Sequence, residues 1–167
     1  SYNTALGDSA LGNLTTASNN TAVGYQAGYS NTTGINNVAL GYQAGYTSTT
    51  SNNSIKIGYQ AGYTGTGANN ICIGTKSGYA LTTGVSNTFI GAGVDSVSDG
   101  AGSAITTGSK NTIIGTYSGN QGGLDIRTAN NYIVLSDGDG NPRIYDNGTN
   151  TVFNSNVYLY GNASGGH

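Results

Sequence analysis

The chain has 167 residues, with 29 glycines and 13 tyrosines, and only 7% of its residues are charged. Its net charge is −2 and its five basic residues are scattered, which excludes a nucleic-acid surface because phosphate binding needs clustered Lys and Arg. No apolar run approaches the ~20 residues that span a bilayer as a helix. Asn, Thr, Ser and Gly are poor helix formers, whereas Val, Ile, Thr and Tyr recur in phase. We therefore expect an ordered, all-β protein.

One segment, Asn20 to Tyr29, is repeated along much of the chain. The glycine that follows its aliphatic residue recurs at steps of 17, 17, 17, 16, 17 and 24 residues. We call these the anchor glycines: Gly7, Gly24, Gly41, Gly58, Gly74, Gly91 and Gly115. A fixed period of this size indicates stacked copies of one unit. Residues 1–118 are thus predicted to form a repetitive β-solenoid (a β-roll) with coils of about 17 residues.

Three columns of residues precede the anchor glycines. The aliphatic column stands one residue before them and comprises Leu6, Val23, Leu40, Ile57, Ile73, Ile90 and Ile114. A second column stands three residues before them and shares its face, because strand side chains alternate. The column between comprises Ala5, Ala22, Ala39, Lys56, Cys72, Phe89 and Ile113. We predict that the aliphatic column fills the coil interior and that the column between faces solvent or another subunit.

Tyrosines and asparagines also recur with the period. Tyr25, Tyr42 and Tyr59 follow anchor glycines and should stack into a ladder, which is either simple packing or a platform for sugar rings. Pairs of threonines precede turn-type stretches ending in Asn, which suit tight corners. Stacked Asn20, Asn37, Asn70, Asn87 and Asn111 are predicted to hydrogen-bond to one another, side chain to side chain.

Two further features of the repeat region bear on chemistry. The lone Cys72 lies in a strand-like segment, so we expect a buried, inert thiol. The longest step, before Gly115, indicates a loop inserted into one coil, and such loops commonly carry binding function. Asp95 and Asp99 in this loop are therefore candidate ligand-binding residues.

The pattern changes after residue 118. We predict a junction over 119–130, a short C-terminal β-meander over 131–160 and a disordered tail over 161–167. Tyr158 and Tyr160 in the predicted meander are further candidates for ligand binding. Asp137, Asp139 and Asn141 alternate like the start of a calcium loop, but a hairpin turn explains them equally well.

An isolated coil of this length buries few aliphatic side chains relative to the backbone entropy it loses. Hydrogen bonds to neighbouring coils and burial against other chains must supply the difference. A long axis favours three-fold closure. We therefore expect a homotrimer, intertwined or side by side, in which the partners are two further copies of the chain.

The units resemble those of known surface fibres. Asn20-Thr21-Ala22-Val23-Gly24 and its copies are similar to the head repeats of trimeric autotransporter adhesins. The fuller unit, with Tyr25-Gln26-Ala27-Gly28-Tyr29, resembles repeats of phage tail fibres and bacterial surface fibres. Residues 131–160 look like the stretch that precedes a self-cleaving intramolecular chaperone in such proteins, and no signal peptide is visible, so we expect a piece of a longer chain.

This resemblance implies an extracellular fibre segment or adhesin, on a virion tail or a bacterial surface, that presents a receptor-binding surface, with glycans as the expected receptor. The alternative is a passive spacer. A glycan hydrolase would need paired carboxylates from Asp95, Asp99, Asp125 or Asp137, and an ice-binding solenoid would need a flat threonine array. We predict no enzymatic activity, no cofactor, no metal and no membrane insertion.

Overall fold

The computed structural model describes residues 2–93 and 100–154. Within these ranges the protein is all-β and contains no helix. Coils of about 17 residues stack into a β-solenoid of about seven turns, which confirms the fold predicted from the repeat. Asp95 and Asp99 of the inserted loop, Tyr158 and Tyr160, and the predicted tail lie outside the described residues.

Each coil contributes one short parallel strand to a single sheet. The strands are β1 (Thr4–Leu6), β2 (Thr21–Val23), β3 (Val38–Leu40), β4 (Ile55–Ile57), β5 (Ile71–Ile73), β6 (Thr88–Ile90) and β7 (Thr112–Ile114). The register joins equivalent residues throughout, so Ala22 pairs with Ala39 and Ile57 pairs with Ile73. Equivalent side chains therefore lie directly over one another along the stack.

The C-terminal region continues the same sheet and then reverses direction. A two-stranded hairpin, β8 (Asn120–Gln121) and β9 (Leu124–Asp125), occupies the predicted junction. Strand β10 (Ile133–Ser136) then pairs in parallel with β7. Strands β11 (Pro142–Asp146) and β12 (Thr151–Phe153) follow antiparallel. The meander predicted after residue 131 is thus present as far as residue 153.

The prediction for the coil interior was wrong in its choice of face. From β2 onward the middle residue of each strand is buried, while the residues on either side are half-buried or exposed. The buried column comprises Ala22, Ala39, Lys56, Cys72, Phe89, Ile113 and Val134. The aliphatic column, predicted to be interior, points outward.

The reason for this choice is the narrowness of the coil. A Cβ built on Gly28 would lie 3.9 Å from the Cβ atoms of Ala22 and Ala39, so the opposite wall lies against the middle of the strands. In a later coil a Cβ on Gly78 would lie 2.6 Å from Cys72 Sγ. One column of the sheet therefore faces the interior, and two aliphatic-rich columns are left outside.

We call these two columns the outer aliphatic face. It comprises Thr4, Leu6, Thr21, Val23, Val38, Leu40, Ile55, Ile57, Ile71, Ile73, Thr88, Ile90, Thr112, Ile114, Ile133 and Leu135. None of these residues is charged. With eight strands ~4.8 Å apart, the face is roughly 34 Å long.

Tight corners depend on residues that accept a positive φ. At the corner that precedes each strand, Asn19, Asn36, Asn53 and Asn69 have φ between 54° and 61°. At the corner that follows each strand, the anchor glycines have φ between 110° and 153°, a region that only glycine occupies readily. The expectation that Gly and Asn form the corners is confirmed.

The predicted asparagine ladder is present in part, since the Asn111 amide donates to Ala129 O and only its backbone N–H reaches Asn87 Oδ1. Asn37 Nδ2 donates to Asn20 Oδ1 at 3.1 Å, and Asn87 Nδ2 donates to Asn70 Oδ1 at 3.1 Å. The same oxygens accept the backbone N–H of Asn37 and of Asn87. Ser54 interrupts the ladder in one coil, where its hydroxyl accepts the backbone N–H of Asn70.

We expect Asn70→Ala to lower the free energy of unfolding by about 2–5 kcal/mol, because it leaves several buried groups without partners. Asn70 is 1% exposed, and its amide donates to the carbonyl oxygens of Gly67 and Gly84. Urea unfolding followed by far-UV circular dichroism measures the change. The control is Asn150→Ala at an exposed turn, and an equally small effect at both sites would contradict a structural role for the ladder.

Candidate binding surface

The predicted tyrosine ladder lies on the solenoid surface just after the sheet. Tyr25 stacks on Tyr42 with ring centroids 5.4 Å apart, and Tyr42 stacks on Tyr59 at 5.2 Å. Each of the three side chains is 43% exposed. The structure therefore brings together these three candidate residues in one exposed row.

Stacking limits what this row can bind. The rings are inclined by 18° and 9° to one another, so the faces between them are covered by other tyrosines. The equivalent positions beyond the ends are Asp8 and Thr75, which leaves one ring face at each end without a tyrosine partner. Along the row, hydroxyl groups and ring edges are exposed. A sugar ring that stacks on an aromatic face therefore finds no open face between the rings, and the end rings are no more exposed than Tyr42.

A row of glutamines runs beside the tyrosines. Gln43 Nε2 donates to Gln26 Oε1 at 2.8 Å, and Gln60 Nε2 donates to Gln43 Oε1 at 3.0 Å. Sequence reasoning missed this row, although the glutamines recur in phase with the tyrosines. Together the rows form a polar strip that we call the Tyr-Gln strip: Tyr25, Gln26, Tyr42, Gln43, Tyr59 and Gln60.

A second tyrosine ladder is more enclosed and is mainly packing. Tyr29, Tyr46, Tyr63 and Tyr79 stack with centroids 5.1–5.3 Å apart. Burial raises the pKa of Tyr63, and the neighbouring tyrosines raise it further. The Tyr63 phenol is therefore neutral over the physiological range.

The threonines at the corners are partly used within the fold. The hydroxyl groups of Thr15, Thr32 and Thr82 donate to backbone carbonyl oxygens of the next coil at 2.8–3.1 Å. Their hydroxyl hydrogens are therefore not available to bind ice. Thr16, Thr33 and Thr83 beside them are exposed.

The possible calcium ligands lie in a hairpin between β10 and β11. The Asp137 carboxylate accepts the backbone N–H groups of Asp139 and Asn141 and also pairs with Arg143. The hydrogen bond from Asn141, with those from Arg143, lowers the pKa of Asp137. Both carboxylate oxygens are thus used by protein donors, which favours the turn interpretation. No cluster of three or more metal-ligating residues occurs in the described part of the chain.

The carboxylates considered for glycoside cleavage are not brought together as a free pair. Asp125 forms an exposed ion pair with Arg127 at 2.7 Å, and hydrogen bonds from Arg127 lower the pKa of Asp125. An open cleft of about 330 Å³ lies here, lined by Thr106, Asp125, Arg127 and Thr128. Asp137 is paired with Arg143 as described above.

Cys72 is buried, as predicted. Burial raises the pKa of its thiol to about 12, although the neighbouring Lys56 ammonium acts in the opposite direction. The thiolate is therefore scarce at neutral pH, and Cys72 is not a reactive nucleophile.

Lys56 is the residue whose position sequence reasoning misjudged most. It occupies the buried column at 4% exposure, and its ammonium donates to Ser48 Oγ. Burial lowers the pKa of Lys56 from 10.5 to about 8. The signal in the sequence was the pair Ser48 and Gly65, because the corresponding positions of later coils hold Leu81 and Ile105. Small residues there make room for a long side chain.

The buried amine gives stability a specific pH dependence. The unfolded chain keeps its proton up to about pH 10.5 and the folded chain releases it near pH 8, so unfolding binds protons and stability rises with pH above 8. Above pH 9.0 the unfolded chain releases the Cys72 proton and the folded chain keeps it, because burial raises the pKa of this thiol. Cys72 therefore lowers the stability as the pH rises further. We therefore expect the free energy of unfolding to rise by up to ~1.4 kcal/mol per pH unit between pH 8 and 9. In Lys56→Met the rise should vanish, and an identical rise in that variant would exclude Lys56 as its source.

These surfaces belong to a parallel β-solenoid repeat protein. No protein-family model matches the chain, and neither a curated protein nor a solved structure matches it significantly. In the described ranges, no helix has the length and apolar character needed to cross a membrane.

Proposed function

We propose that this chain is a segment of a trimeric fibre that presents a receptor-binding surface for attachment to a cell surface. The observation that carries the proposal is the outer aliphatic face. Leu6, Ile114 and Ile133 are 67%, 47% and 52% exposed in the single chain. An uncharged apolar face of this length is uncommon on a monomer and is typical of an interaction surface.

A second and third copy of the same chain are the partners that fit this face. Apolar columns are stabilised most by burial against another apolar surface. A second copy of the chain offers such a surface, with the same spacing between coils along the whole length. The resemblance to trimeric fibre repeats favours three copies around a common axis over two face to face. In such a trimer the Tyr-Gln strip and the inserted loop are the surfaces considered for receptor binding.

Glycans are the proposed receptor class. The Tyr-Gln strip offers exposed hydroxyl and amide groups at a regular spacing of about 5 Å, and sugars are recognised by such hydrogen-bonding groups together with aromatic faces. The exposed ring edges of Tyr25, Tyr42 and Tyr59 supply the apolar contact. The proposed mode is hydrogen bonding along the strip with apolar contact at the ring edges.

A passive spacer is the second candidate, and the covered tyrosine ring faces favour it. Stacked tyrosines and hydrogen-bonded glutamines hold successive coils together without any ligand. In that case the binding tip lies elsewhere in the fibre.

A glycan array probed with the purified chain separates the candidates. Retention without release of sugar, lost in Tyr25→Ala/Tyr59→Ala but kept in Tyr29→Phe, is the result expected for the adhesin. No retention on any glycan would leave the spacer as the better description of this segment. Release of shortened sugars from a polysaccharide would contradict both and favour a hydrolase.

A further inference from the structure

A cavity lies in the N-terminal half of the solenoid, beside the asparagine ladder and behind the first residues of strands β2 and β3. It extends between the early coils from Leu11 to Lys56 and is also lined by Asn31, Ala39 and Ser48. Its free volume is about 20 Å³, and about 10–15 Å³ on this measure holds one water-sized particle. The cavity therefore has room for one small occupant.

The cavity contains a buried cation without a counter-charge. None of the described residues that line it is acidic. Lys56 Nζ has three hydrogens, and among the described residues Ser48 Oγ is its only acceptor. A buried charge normally has a paired charge or a full set of hydrogen bonds, and this ammonium has neither.

Two further side chains of the cavity, Ser48 and Asn31, have hydrogens without an acceptor. The Ser48 hydroxyl accepts from Lys56, and its own hydrogen has no acceptor in the described part of the protein. Asn31 uses one amide hydrogen on Gly34 O, and its Oδ1 already accepts the Gly34 N–H. The second amide hydrogen of Asn31 has no acceptor among the described residues. Lys56, Ser48 and Asn31 therefore hold unused hydrogens beside this space, although Asn37 Oδ1, which accepts only the Ser54 N–H, keeps one free lone pair.

We propose that Lys56, Ser48 and Asn31 bind one small monovalent anion, of the size and charge of a halide, inside the solenoid. A cation and a set of neutral donors match an acceptor-only ion, and the largely apolar remainder of the wall suits a weakly hydrated one. A water molecule fits less well, because it cannot neutralise the buried ammonium. The anion completes the charge balance of a coil interior that otherwise holds an isolated ammonium.

Thermal unfolding in sodium bromide against sodium gluconate at equal ionic strength and pH 7 tests the proposal. Gluconate is too large for the cavity. The midpoint should rise with bromide, by about 5–10 °C at a concentration about 100 times the dissociation constant. The rise should disappear in Lys56→Met and shrink in Ser48→Ala. It should persist in Lys110→Asn, which removes an exposed lysine at a position where φ is +58° and Asn is well accommodated.

A second measurement needs no variant. Crystals of the unmodified protein soaked in bromide should show an anomalous scattering peak within hydrogen-bond distance of Lys56 Nζ. Bromide should also reduce the rise in stability between pH 8 and 9, because the anion favours the ammonium. A water molecule at the site in bromide-soaked crystals, or the same bromide effect in the wild type and Lys56→Met, would overturn the proposal.

Discussion

The double variant Ile57→Glu/Ile90→Glu is expected to sediment as a single chain of 16.8 kDa, whereas the unmodified protein is expected to sediment as a trimer. Both residues lie on the outer aliphatic face, two coils apart, with their side chains pointing away from the coil interior. If this face is buried between copies, each glutamate places an unpaired charge in an apolar contact. Such burial costs several kcal/mol per charge, and a trimer contains six of them.

A matched control exists in the same chain. Ile35 and Val85 are each 37% exposed, close to the 39% of Ile90, but they lie at the corner before the strands and outside the outer aliphatic face. Ile35→Glu/Val85→Glu introduces the same charges and should leave the trimer intact. Far-UV circular dichroism should show both variants folded. Dissociation by both pairs alike would mean that added charge, rather than its place on the face, separates the chains.

Gly58→Ala is expected to lower the free energy of unfolding by about 3 kcal/mol or more. Gly58 has φ of +132°, and a Cβ at this position would lie 2.6 Å from the carbonyl oxygen of Gly74 in the next coil. The backbone strain alone costs ~1–3 kcal/mol. The contact adds to this cost, because the two anchor glycines cannot separate without lengthening the hydrogen bonds between strands β4 and β5.

Gly138→Ala is the control for this substitution. No atom lies within 4 Å of a Cβ at position 138, and its φ is not in the positive range. Its effect should stay within ~0.5 kcal/mol. Urea unfolding of both variants gives the comparison, and equal stability of Gly58→Ala and the unmodified protein would show that neighbouring coils do not approach as closely as described.

The period of the sequence was sufficient to predict the stacked coils, because a register with a fixed step places like residues over like. The asparagine ladder and the tyrosine ladder followed from the same argument, since each requires only that equivalent positions coincide. The period alone determines which residues meet within a ladder. Their hydrogen bonds and ring contacts could therefore be predicted without knowing the path of the coil.

The face that forms the interior could not be predicted in this way. Alternation along a strand separates Ile57 from Lys56 but does not say which side the rest of the coil covers. Hydrophobicity favoured the aliphatic column, whereas the path of the coil places the other column inside, where Gly28 lies against Ala22 and Ala39. That path depends on all the corners together.

The burial of Lys56 could not be predicted from the sequence either. A charged residue in a column of small residues indicates an exposed position, because lysine is rarely buried without a partner. Here the coil interior has free space, since Ser48 and Gly65 stand where later coils hold the larger Leu81 and Ile105. Only the three-dimensional stack shows that the lysine side chain fills this space.

The proposed fibre depends on other copies covering the outer aliphatic face, so sedimentation equilibrium of the unmodified chain is the decisive measurement. A mass about three times 16.8 kDa is expected over the micromolar range, independent of the rotor speed. A stable, monodisperse species with the mass of one chain at the same concentrations would rule out the trimer.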